Sequence, residues 1–370
     1  MKILHIGNLK SGIDTYVRNT VALACDDFEF VIVKGADDKS DPYLRNGNEI
    51  KTYEISMYRA LNPFKDFKAI RQTVKIIKNE KPDLIHCHSA KGGVIGRIAA
   101  FLTGTKVAYT AHAFSFLSAK SKIKQSVFIL FEKVTRLKSF LIACSNSELK
   151  LGVERVKYPP KKAFVWCNAI PKINDEEVIE PSGNIKNQHF VISIGRPCYQ
   201  KNPLLMVETM QLVNKKYPEV MFYLLGVGFY SPMLDEMKHL ISVYGLEKNI
   251  KLIEWLSRNE VLGYLKYSLL YFTTSLYEGL PIAVLEAMAM GKAIVSSDVI
   301  GNKDCVEDQK NGYLLPLDAN KMSDAICELL RNNEKRISME TASKEIFMEK
   351  FYINNRISEL EKIYKDIISL

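Results

Sequence analysis

Two carboxylates flank a predicted helix start in the segment SLYEGLPIAVLEAMAMGKAIVSS, residues 275–297. Pro281 suits the first helical position, because its missing N–H would be unpaired there, and Gly291 supplies a C-terminal stop. Glu278 is therefore predicted in the loop before the helix and Glu286 inside it. Free N–H groups at a helix start favour phosphate, which the Glu278 carboxylate would repel. Glu278 is therefore suited to accept hydrogen bonds from neutral hydroxyls beside a phosphate. Glu286 is suited to a second pair of hydroxyls, such as a ribose diol. This spacing indicates a sugar–diphosphate site; the alternative is two ordinary acids favoured by the helix dipole.

Two cations follow another predicted strand, Phe190–Ile194. Gly195 and Arg196 come directly after it, and Lys201 follows five residues later. A glycine lets the backbone approach a ligand closely, and two cations at a strand end could neutralise a diphosphate as it departs. The alternative is a surface loop with two solvated cations.

Alternating strands and helices must position these groups. Apolar runs predict strands in both halves of the chain, with helical patterns such as 66–78 and 93–101 between them. This alternation predicts parallel sheets with crossover helices on both faces and ligands beyond the carboxyl ends of the strands. The predicted strands are 2–6, 28–33, 84–88, 107–110, 140–144, 190–194, 221–225, 250–253, 269–273 and 293–296, with the polar stretch 174–188 as a linker.

The run Tyr277-Glu278-Gly279-Leu280-Pro281, followed by Leu285-Glu286-Ala287-Met288 and Gly291, resembles the donor-site signature of retaining glycosyltransferases of family 4. The resemblance implies an α/β architecture, the GT-B fold, with two Rossmann-like doubly wound parallel-sheet domains facing a central cleft. It places an N-terminal acceptor domain over 1–176, a nucleotide-sugar donor domain over 177–348, and a final helix over 349–370 that crosses back to the first domain.

The resemblance also implies roles for individual residues. Donor binding falls to Gly12, Arg196, Lys201, Gly226, Trp255, Leu256, Glu278, Gly279, Leu280, Pro281 and Glu286. Catalytic roles fall to His112, Glu278, Arg196 and Lys201, with His112 at the end of a strand that should open to the cleft. His88, Ser89 and Lys91 resemble the acceptor-side loop of bacterial members that build surface polysaccharides. Ser11-Gly12 departs from the paired glycines usual in the first loop, so Gly12 alone is expected to let this loop near the donor phosphates.

The reaction implied is transfer of a hexose, with retention, from a nucleotide-diphosphate sugar to a glycan or lipid-linked acceptor in capsule, O-antigen or exopolysaccharide synthesis. A UDP-sugar is favoured over a GDP-sugar, and no cofactor or metal is expected. One alternative is a nucleotide-sugar epimerase of the same fold, which would act without an acceptor. Another is a non-catalytic basic protein that binds membrane or nucleic acid. A dehydrogenase is disfavoured, because no GxGxxG follows the first strand.

Positive charge is concentrated in the first half of the chain. Residues 1–180 hold 29 Lys and Arg against 19 Asp and Glu, whereas the remainder hold 22 against 23. Within the first half, residues 119–138 interleave cations with apolar side chains, which is typical of a helix lying on an anionic membrane surface. The alternative is a core helix with a solvated basic face. Nucleic acid is not expected as a partner, because no nucleic-acid-binding motif accompanies the charge.

Seven scattered cysteines without a CxxC pair indicate reduced thiols. His86-Cys87-His88 has no second ligand pair at metal-binding spacing, and no Asp-x-Asp occurs. No apolar run reaches the ~18 residues of a membrane span, and the N-terminus lacks a signal-peptide pattern. We therefore expect a cytoplasmic protein, peripheral at the inner face of the cell membrane.

Overall fold

The computed structural model describes residues 1–38, 40–58, 60, 62–183, 185–228 and 230–370 of the chain. These residues form two compact units: unit 1 consists of Met1–Pro171 with Ile353–Leu370, and unit 2 of Lys172–Tyr352. Each unit has its own parallel sheet and its own hydrophobic core. The alternation of short apolar strands and helices predicts this architecture.

Unit 1 is built on a seven-stranded parallel sheet with a small antiparallel hairpin beside it. Its strands are β1 (Lys2–Gly7), β2 (Glu29–Gly35), β3 (Leu44–Arg45), β4 (Asn48–Glu49), β5 (Thr52–Ile55), β6 (Leu84–His88), β7 (Lys106–Thr110), β8 (Phe140–Ala143) and β9 (Ala163–Val165). Its helices up to this point are α1 (Gly12–Leu23), α2 (Pro63–Glu80), α3 (Ser89–Thr103), α4 (Lys122–Thr135) and α5 (Asn146–Leu151). The sheet order is β5-β2-β1-β6-β7-β8-β9, so the chain winds outward in both directions from the gap between β1 and β6.

Unit 2 has a six-stranded parallel sheet in the order β12-β11-β10-β13-β14-β15. Its strands are β10 (Phe190–Ile194), β11 (Met221–Val227), β12 (Ile250–Glu254), β13 (Leu270–Thr273), β14 (Ala293–Ser297) and β15 (Gly312–Leu315). Its helices are α6 (Pro203–Lys216), α7 (Leu234–Val243), α8 (Arg258–Tyr267), α9 (Ile282–Ala289), α10 (Ala319–Arg331) and α11 (Asn333–Lys350). The winding direction reverses between β10 and β13, and ligands of such sheets bind where the strand order reverses.

The last helix, α12 (Ile357–Ser369), packs on unit 1. Side chains alternate across a strand, so Leu4 and Ile6 of β1 enter one core cluster while Ile3 enters another on the opposite face. Leu360 and Tyr364 of α12 belong to the cluster that contains Ile3. The C-terminal segment therefore covers one face of the unit 1 sheet.

The predicted strands are confirmed to within two residues at either end. The helix after Glu278 begins one residue later than expected, because Pro281 caps α9 from extended backbone rather than forming its first turn. Gly291 has a φ of 66°, a left-handed conformation that ends the helix at glycine. Strands β3, β4, β5, β9 and β15 were not predicted; they are short, and part or all of each is exposed or half-buried.

Candidate active site

Two loops meet at the strand-order reversal of unit 2. One follows β10 and carries residues 195–202, and the other follows β13 and carries residues 274–281. The Thr274 hydroxyl donates to the carbonyls of Lys201 and Asn202, both at 2.9 Å, and the Leu276 N–H donates to the carbonyl of Gln200 at 2.8 Å. These bonds hold the loops together, so the predicted cations and the predicted carboxylate come from adjacent elements.

Glu278 lies at the centre of these loops, with only 7% of its surface exposed. One carboxylate oxygen, Oε1, accepts from Lys201 Nζ and from Ser275 Oγ, each at 2.7 Å. The other, Oε2, accepts from Gln200 Nε2 at 2.9 Å. A buried charge is tolerated only when it is paired and hydrogen-bonded. Glu278 is therefore held in one position before any ligand arrives.

The charge balance of the loops is positive. Burial lowers the pKa of Lys201, but the Glu278 carboxylate, together with Tyr271 and Cys198, raises it by more, so the pKa of Lys201 lies above its ordinary value and the ammonium is retained. Arg196 is half-buried, and its guanidinium has no hydrogen-bond or ion-pair partner among the residues described. The loop after β10 therefore carries one unpaired cation, Arg196, in addition to the neutral Lys201–Glu278 pair, and such a charge suits an anionic group such as a diphosphate.

Glu286 lies inside α9, as predicted, and is 7% exposed. Its Oε1 accepts from Arg258 Nε at 2.9 Å, and Arg258 also reaches Glu177 at 3.3 Å. Burial raises the pKa of Glu286, and the Arg258 guanidinium opposes that rise. Its Oε2 accepts no hydrogen bond from the described residues, so this oxygen can take a ligand hydroxyl.

Glycines allow the close packing of these loops. Gly195 has a φ of 148°, and a Cβ there would lie 2.9 Å from Lys201 Cε. Gly301 has a φ of 87°, and a Cβ there would lie 2.6 Å from Glu278 Cβ. Any side chain at either position would be strained and would displace the Lys201–Glu278 pair.

The other predicted donor residues of unit 2 lie on strand ends beside these loops. Gly226 is a β11 residue with a φ of 96° at an irregularity in the pairing with β12. Trp255 is 60% exposed and Leu256 is half-buried directly after β12, whereas Gly279, Leu280 and Pro281 are buried. The last three can therefore meet a ligand through backbone groups more readily than through side chains.

In unit 1 the predicted residues His112 and His88 are joined by a hydrogen bond. His88 Nδ1 lies 3.1 Å from His112 Nε2, and His88 Nε2 lies 2.8 Å from His5 Nδ1. His88 is fully buried and both of its ring nitrogens are occupied, so it supports His112 and offers no nitrogen to an acceptor. His112 is half-buried, and its Nδ1 has no partner among the described residues.

The remaining predicted residues of unit 1 are Lys91, Gly12 and Ser89. The Lys91 ammonium lies 2.6 Å from an Asp66 carboxylate oxygen and donates to the Ala60 carbonyl at 3.1 Å, so its charge is already neutralised. Gly12 begins α1, and Ser11 before it has a φ of 55°. Ser89 and His112 also have positive φ, 60° and 51°. Such outliers in non-glycine residues concentrate at functional sites, and these three follow β1, β6 and β7.

One histidine cluster has the proximity of a metal site. His5, His86 and His88 offer ring nitrogens within 4.8 Å of one another, and all three are buried. His86, however, bonds Tyr364 and Thr110 at 2.8 Å each, and His5 bonds His88 at 2.8 Å. Five of the six ring nitrogens are thus bonded to another imidazole or to a hydroxyl. The arrangement fits a hydrogen-bonded network better than a set of open ligands.

Comparison with protein-family models covers most of the chain. Residues 10–172 match the model described as Glycosyltransferase Family 4, and residues 174–346 match the model described as Glycosyl transferases group 1. The chain belongs to glycosyltransferase family 4. The predicted resemblance is therefore confirmed, and with it an enzyme class that uses a nucleotide-sugar donor.

Relatives of this family 4 member include enzymes of polysaccharide synthesis. One relative is an Escherichia coli UDP-Gal:alpha-D-GlcNAc-diphosphoundecaprenol alpha-1,3-galactosyltransferase. The two chains are 29% identical over 327 residues, which cover 85% of this chain and 83% of the relative. The protein is 23% identical to the Staphylococcus aureus capsular polysaccharide biosynthesis glycosyltransferase CapM, over 87% of this chain and 88% of the relative. The structure of Anabaena HepE in complex with UDP and glucose matches with a TM-score of 0.77 at 18% identity, over 98% of this chain and 99% of that one. The GT-B fold class is thereby confirmed.

Several residues that build the family 4 site were not predicted from the sequence. Gln200 and Ser275 fix Glu278, and Arg258 fixes Glu286. Ser257-x-x-Glu260, a capping box directly around Arg258, was a readable helix-start signal that would have placed Arg258 at the first turn of α8. The role of His5 could not be predicted, because a lone histidine in an apolar strand does not reveal which side chains of the neighbouring strand it contacts.

Proposed function

We propose that this protein transfers a hexose, with retention of configuration, from a UDP-sugar to a lipid-diphosphate-linked glycan during the assembly of a bacterial surface polysaccharide. The observation that carries the proposal is the preorganised Glu278–Lys201 pair at the strand-order reversal of unit 2, with the unpaired Arg196 cation in the same loop as Lys201. A site fixed before binding costs no reorganisation when charge develops. The polyprenyl-diphosphate acceptor and UDP donor in the name of the Escherichia coli relative support the choice of substrates.

The roles of the unit 2 residues follow from their contacts. Arg196, Lys201 and the N-terminal N–H groups of α9 stabilise the diphosphate as it leaves. Glu278, whose Oε2 accepts from Gln200 alone and so retains a second lone pair, accepts a hydrogen bond from a sugar hydroxyl. Glu286, through its free Oε2, accepts a ribose hydroxyl. The departing phosphate oxygen takes the proton of the acceptor hydroxyl on the same face, which avoids any need for a covalent nucleophile.

Nucleoside diphosphate binding tests this assignment. UDP should raise the melting temperature of the purified full-length protein more than GDP, ADP, CMP or NAD, because binding at a hundredfold the dissociation constant adds about 2.7 kcal/mol. Glu286→Gln should lose most of the UDP shift, since the amide replaces an acceptor oxygen and breaks the Arg258 pair. Glu208→Gln on α6 serves as a control for charge removal. Equal shifts with every nucleotide, or none, would contradict the proposal.

We also propose that helix α4 docks on an anionic membrane, where a lipid-linked acceptor lies. Five of its apolar side chains are between 47% and 80% exposed, and they recur at helical spacing along one face: Ile123, Val127, Leu130, Phe131 and Val134. The opposite face is anchored by Glu132, which pairs with buried Arg97 at 3.2 Å. The sequence left open a core helix with a solvated basic face; instead the apolar stripe itself faces outward.

Exposed cations border this apolar stripe, among them Lys122, Lys124 and Lys133. Apolar side chains flanked by Lys are the pattern of a helix lying in the interface of an anionic leaflet, where each cation contributes about 1 kcal/mol. Within the described residues, no helix is long and apolar enough to cross a bilayer. Surface docking through α4 is the mode of membrane contact that we propose.

Vesicle cosedimentation tests the membrane proposal. The full-length protein should bind phosphatidylglycerol vesicles and detach at high salt, and it should bind phosphatidylcholine weakly. Replacing Ile123, Leu130 and Val134 by Ser, or the three lysines by Gln, should weaken binding by about 100-fold or more. The control replaces Val243 and Ile337, exposed apolar residues of unit 2, by Ser. Binding that ignores lipid charge and both α4 variants would refute α4 docking.

A further inference from the structure

Four of the six histidines of the chain lie together in unit 1. His5 and His88 are fully buried, and His112 is half-buried at the end of β7. The three form a continuous chain of imidazoles, with 2.8 Å between His5 Nδ1 and His88 Nε2 and 3.1 Å between His88 Nδ1 and His112 Nε2. Each link uses Nδ1 of one ring and Nε2 of the next, so the chain has a direction.

A neutral imidazole has one donor and one acceptor nitrogen, so only two proton arrangements satisfy both links. In the first, every Nδ1 carries the proton, and His112 presents a free Nδ1–H. In the second, every Nε2 carries the proton, and His112 presents a free Nδ1 lone pair. The two arrangements differ at the inner end, where His5 Nε2 is buried without a hydrogen-bond partner in the described structure.

The surroundings of His5 Nε2, at the inner end of the chain, favour one of the two proton arrangements. The first arrangement leaves an unpaired lone pair at His5 Nε2, and the second leaves an unpaired N–H. Orphaned buried N–H groups are rarer in proteins than acceptors with unused lone pairs. His5 also stacks on Phe30, with ring centroids 5.7 Å apart, so the Phe30 π-face lies over the imidazole and does not accept an N–H from its edge. The arrangement with all protons on Nδ1 is favoured.

We propose that His5 and His88 are positioning residues that hold neutral His112 as an Nδ1–H donor, aimed at an oxygen of its ligand. The three N–H groups point the same way along the chain, and hydrogen bonds in series polarise one another. The His112 N–H therefore becomes a stronger donor as negative charge grows on the oxygen it contacts. The catalytic consequence rests on the proposed sugar transfer, whereas the proton arrangement does not.

The fourth histidine provides an internal contrast. The Thr110 hydroxyl donates to the Ile142 carbonyl at 2.6 Å, so it must accept from His86 Nε2 at 2.8 Å. His86 Nδ1 then accepts from the Tyr364 hydroxyl at 2.8 Å. His86 is therefore assigned the opposite tautomer, with its proton on Nε2. Burial lowers the pKa of all four rings, which supports neutral imidazoles near pH 7.

Nitrogen NMR of the full-length protein, labelled with 15N-histidine, reads each tautomer directly. We expect His5, His88 and His112 as Nδ1–H and His86 as Nε2–H, with exposed His189 and His239 as references. Nε2–H signals at His5, His88 and His112, or a charged His112 at pH 7, would overturn the proposal. Finding the expected tautomers without any sugar transfer would refute the proposed function and leave the proton arrangement standing.

Two variants at His5 test its positioning role. His5→Phe keeps a ring but removes the donor to His88. The unpaired lone pair then lies on His88 Nε2, so His112 should remain Nδ1–H, but its N–H loses one polarising hydrogen bond of the series. We expect kcat to fall about 3- to 10-fold with KM for the donor sugar nearly unchanged. His5→Asn keeps an N–H near the Nδ1 position and should restore most of kcat. An unchanged kcat in His5→Phe, or a loss that His5→Asn does not restore, would refute the role. Should His5→Phe fail to fold, the wild-type tautomers and His5→Asn still decide.

Discussion

Lys201→Ala is expected to lower kcat for sugar transfer by about 100- to 1,000-fold, the loss typical of removing one preorganised group that stabilises developing charge. The substitution removes a cation from the leaving diphosphate. It also leaves Glu278 buried with only Ser275 and Gln200 as partners, and an unpaired buried charge costs about 3 kcal/mol or more of stability. The measurement is kcat with a UDP-sugar and a lipid-linked acceptor, alongside a denaturation curve.

Two variants control this result. Lys216→Ala breaks an exposed ion pair of similar length, 2.9 Å to Asp324, and should change stability by less than about 1 kcal/mol and leave kcat unchanged. Lys201→Arg keeps the charge with a different shape and should recover part of kcat. If Lys201→Ala transferred sugar within twofold of Lys216→Ala, the assigned role of Lys201 would be wrong.

Acid should unfold unit 1 between about pH 3 and 5. Burial lowers the pKa of His5 and His112 to about 3, and it holds those of His86 and His88 well below the usual range, with neighbouring imidazoles adding to the effect. Each folded pKa is below the unfolded value of 6.5. The unfolded chain therefore binds more protons than the folded one below about pH 6.5, and stability falls as pH decreases.

The expected loss of stability in acid is large compared with the free energy of unfolding of a typical domain. Each fully buried histidine contributes a slope of about 1.4 kcal/mol per pH unit, so His5, His86 and His88 together contribute up to about 4 kcal/mol per pH unit. Domains are typically stable by about 5–15 kcal/mol. Glu286 acts in the opposite direction, because its raised pKa makes the folded state bind protons more readily, but it offsets at most one proton.

Trp166 gives a local probe of this transition. It is 1% exposed in unit 1, and its ring lies 5.1 Å from that of Tyr16 beside the histidines, whereas Trp255 of unit 2 is 60% exposed. Fluorescence-monitored urea titrations at several pH values give the slope of stability against pH. His5→Phe should reduce that slope by about 1.4 kcal/mol per pH unit, with exposed His239→Gln as the matched control. A slope that His5→Phe leaves intact would show that His5 is not buried neutral.

Much of the fold was predictable because both units follow simple periodic rules. Strands buried on both faces, such as Phe190–Ile194, are continuous apolar runs that the sequence reveals directly. The loop position of Glu278 and the helical position of Glu286 followed from Pro281 and Gly291. Half-exposed edge strands such as Ala163–Val165 have no comparable signal, and these were missed.

The contacts of the site residues were less predictable, because they join elements distant along the chain. Arg258 and Glu286 are 28 residues apart and meet at 2.9 Å, and His5 and His88 are 83 residues apart and meet at 2.8 Å. Sequence patterns identify which face of an element is buried, but they do not specify which polar side chains share that interior. His88 was accordingly predicted to bind the acceptor substrate, although both of its ring nitrogens are hydrogen-bonded to other histidines.

Analysis of the reaction product tests sugar transfer and its retention of configuration together. The full-length protein is incubated with UDP-hexoses and a synthetic lipid-diphosphate N-acetylglucosamine, and the anomeric configuration of the new linkage is read by proton NMR. We expect an α-linked product from an α-configured UDP-hexose, formed by wild type and Lys216→Ala and nearly absent with Lys201→Ala. A β-linked product would exclude retention, and conversion of the UDP-sugar to its epimer without an acceptor would show an epimerase instead of a transferase.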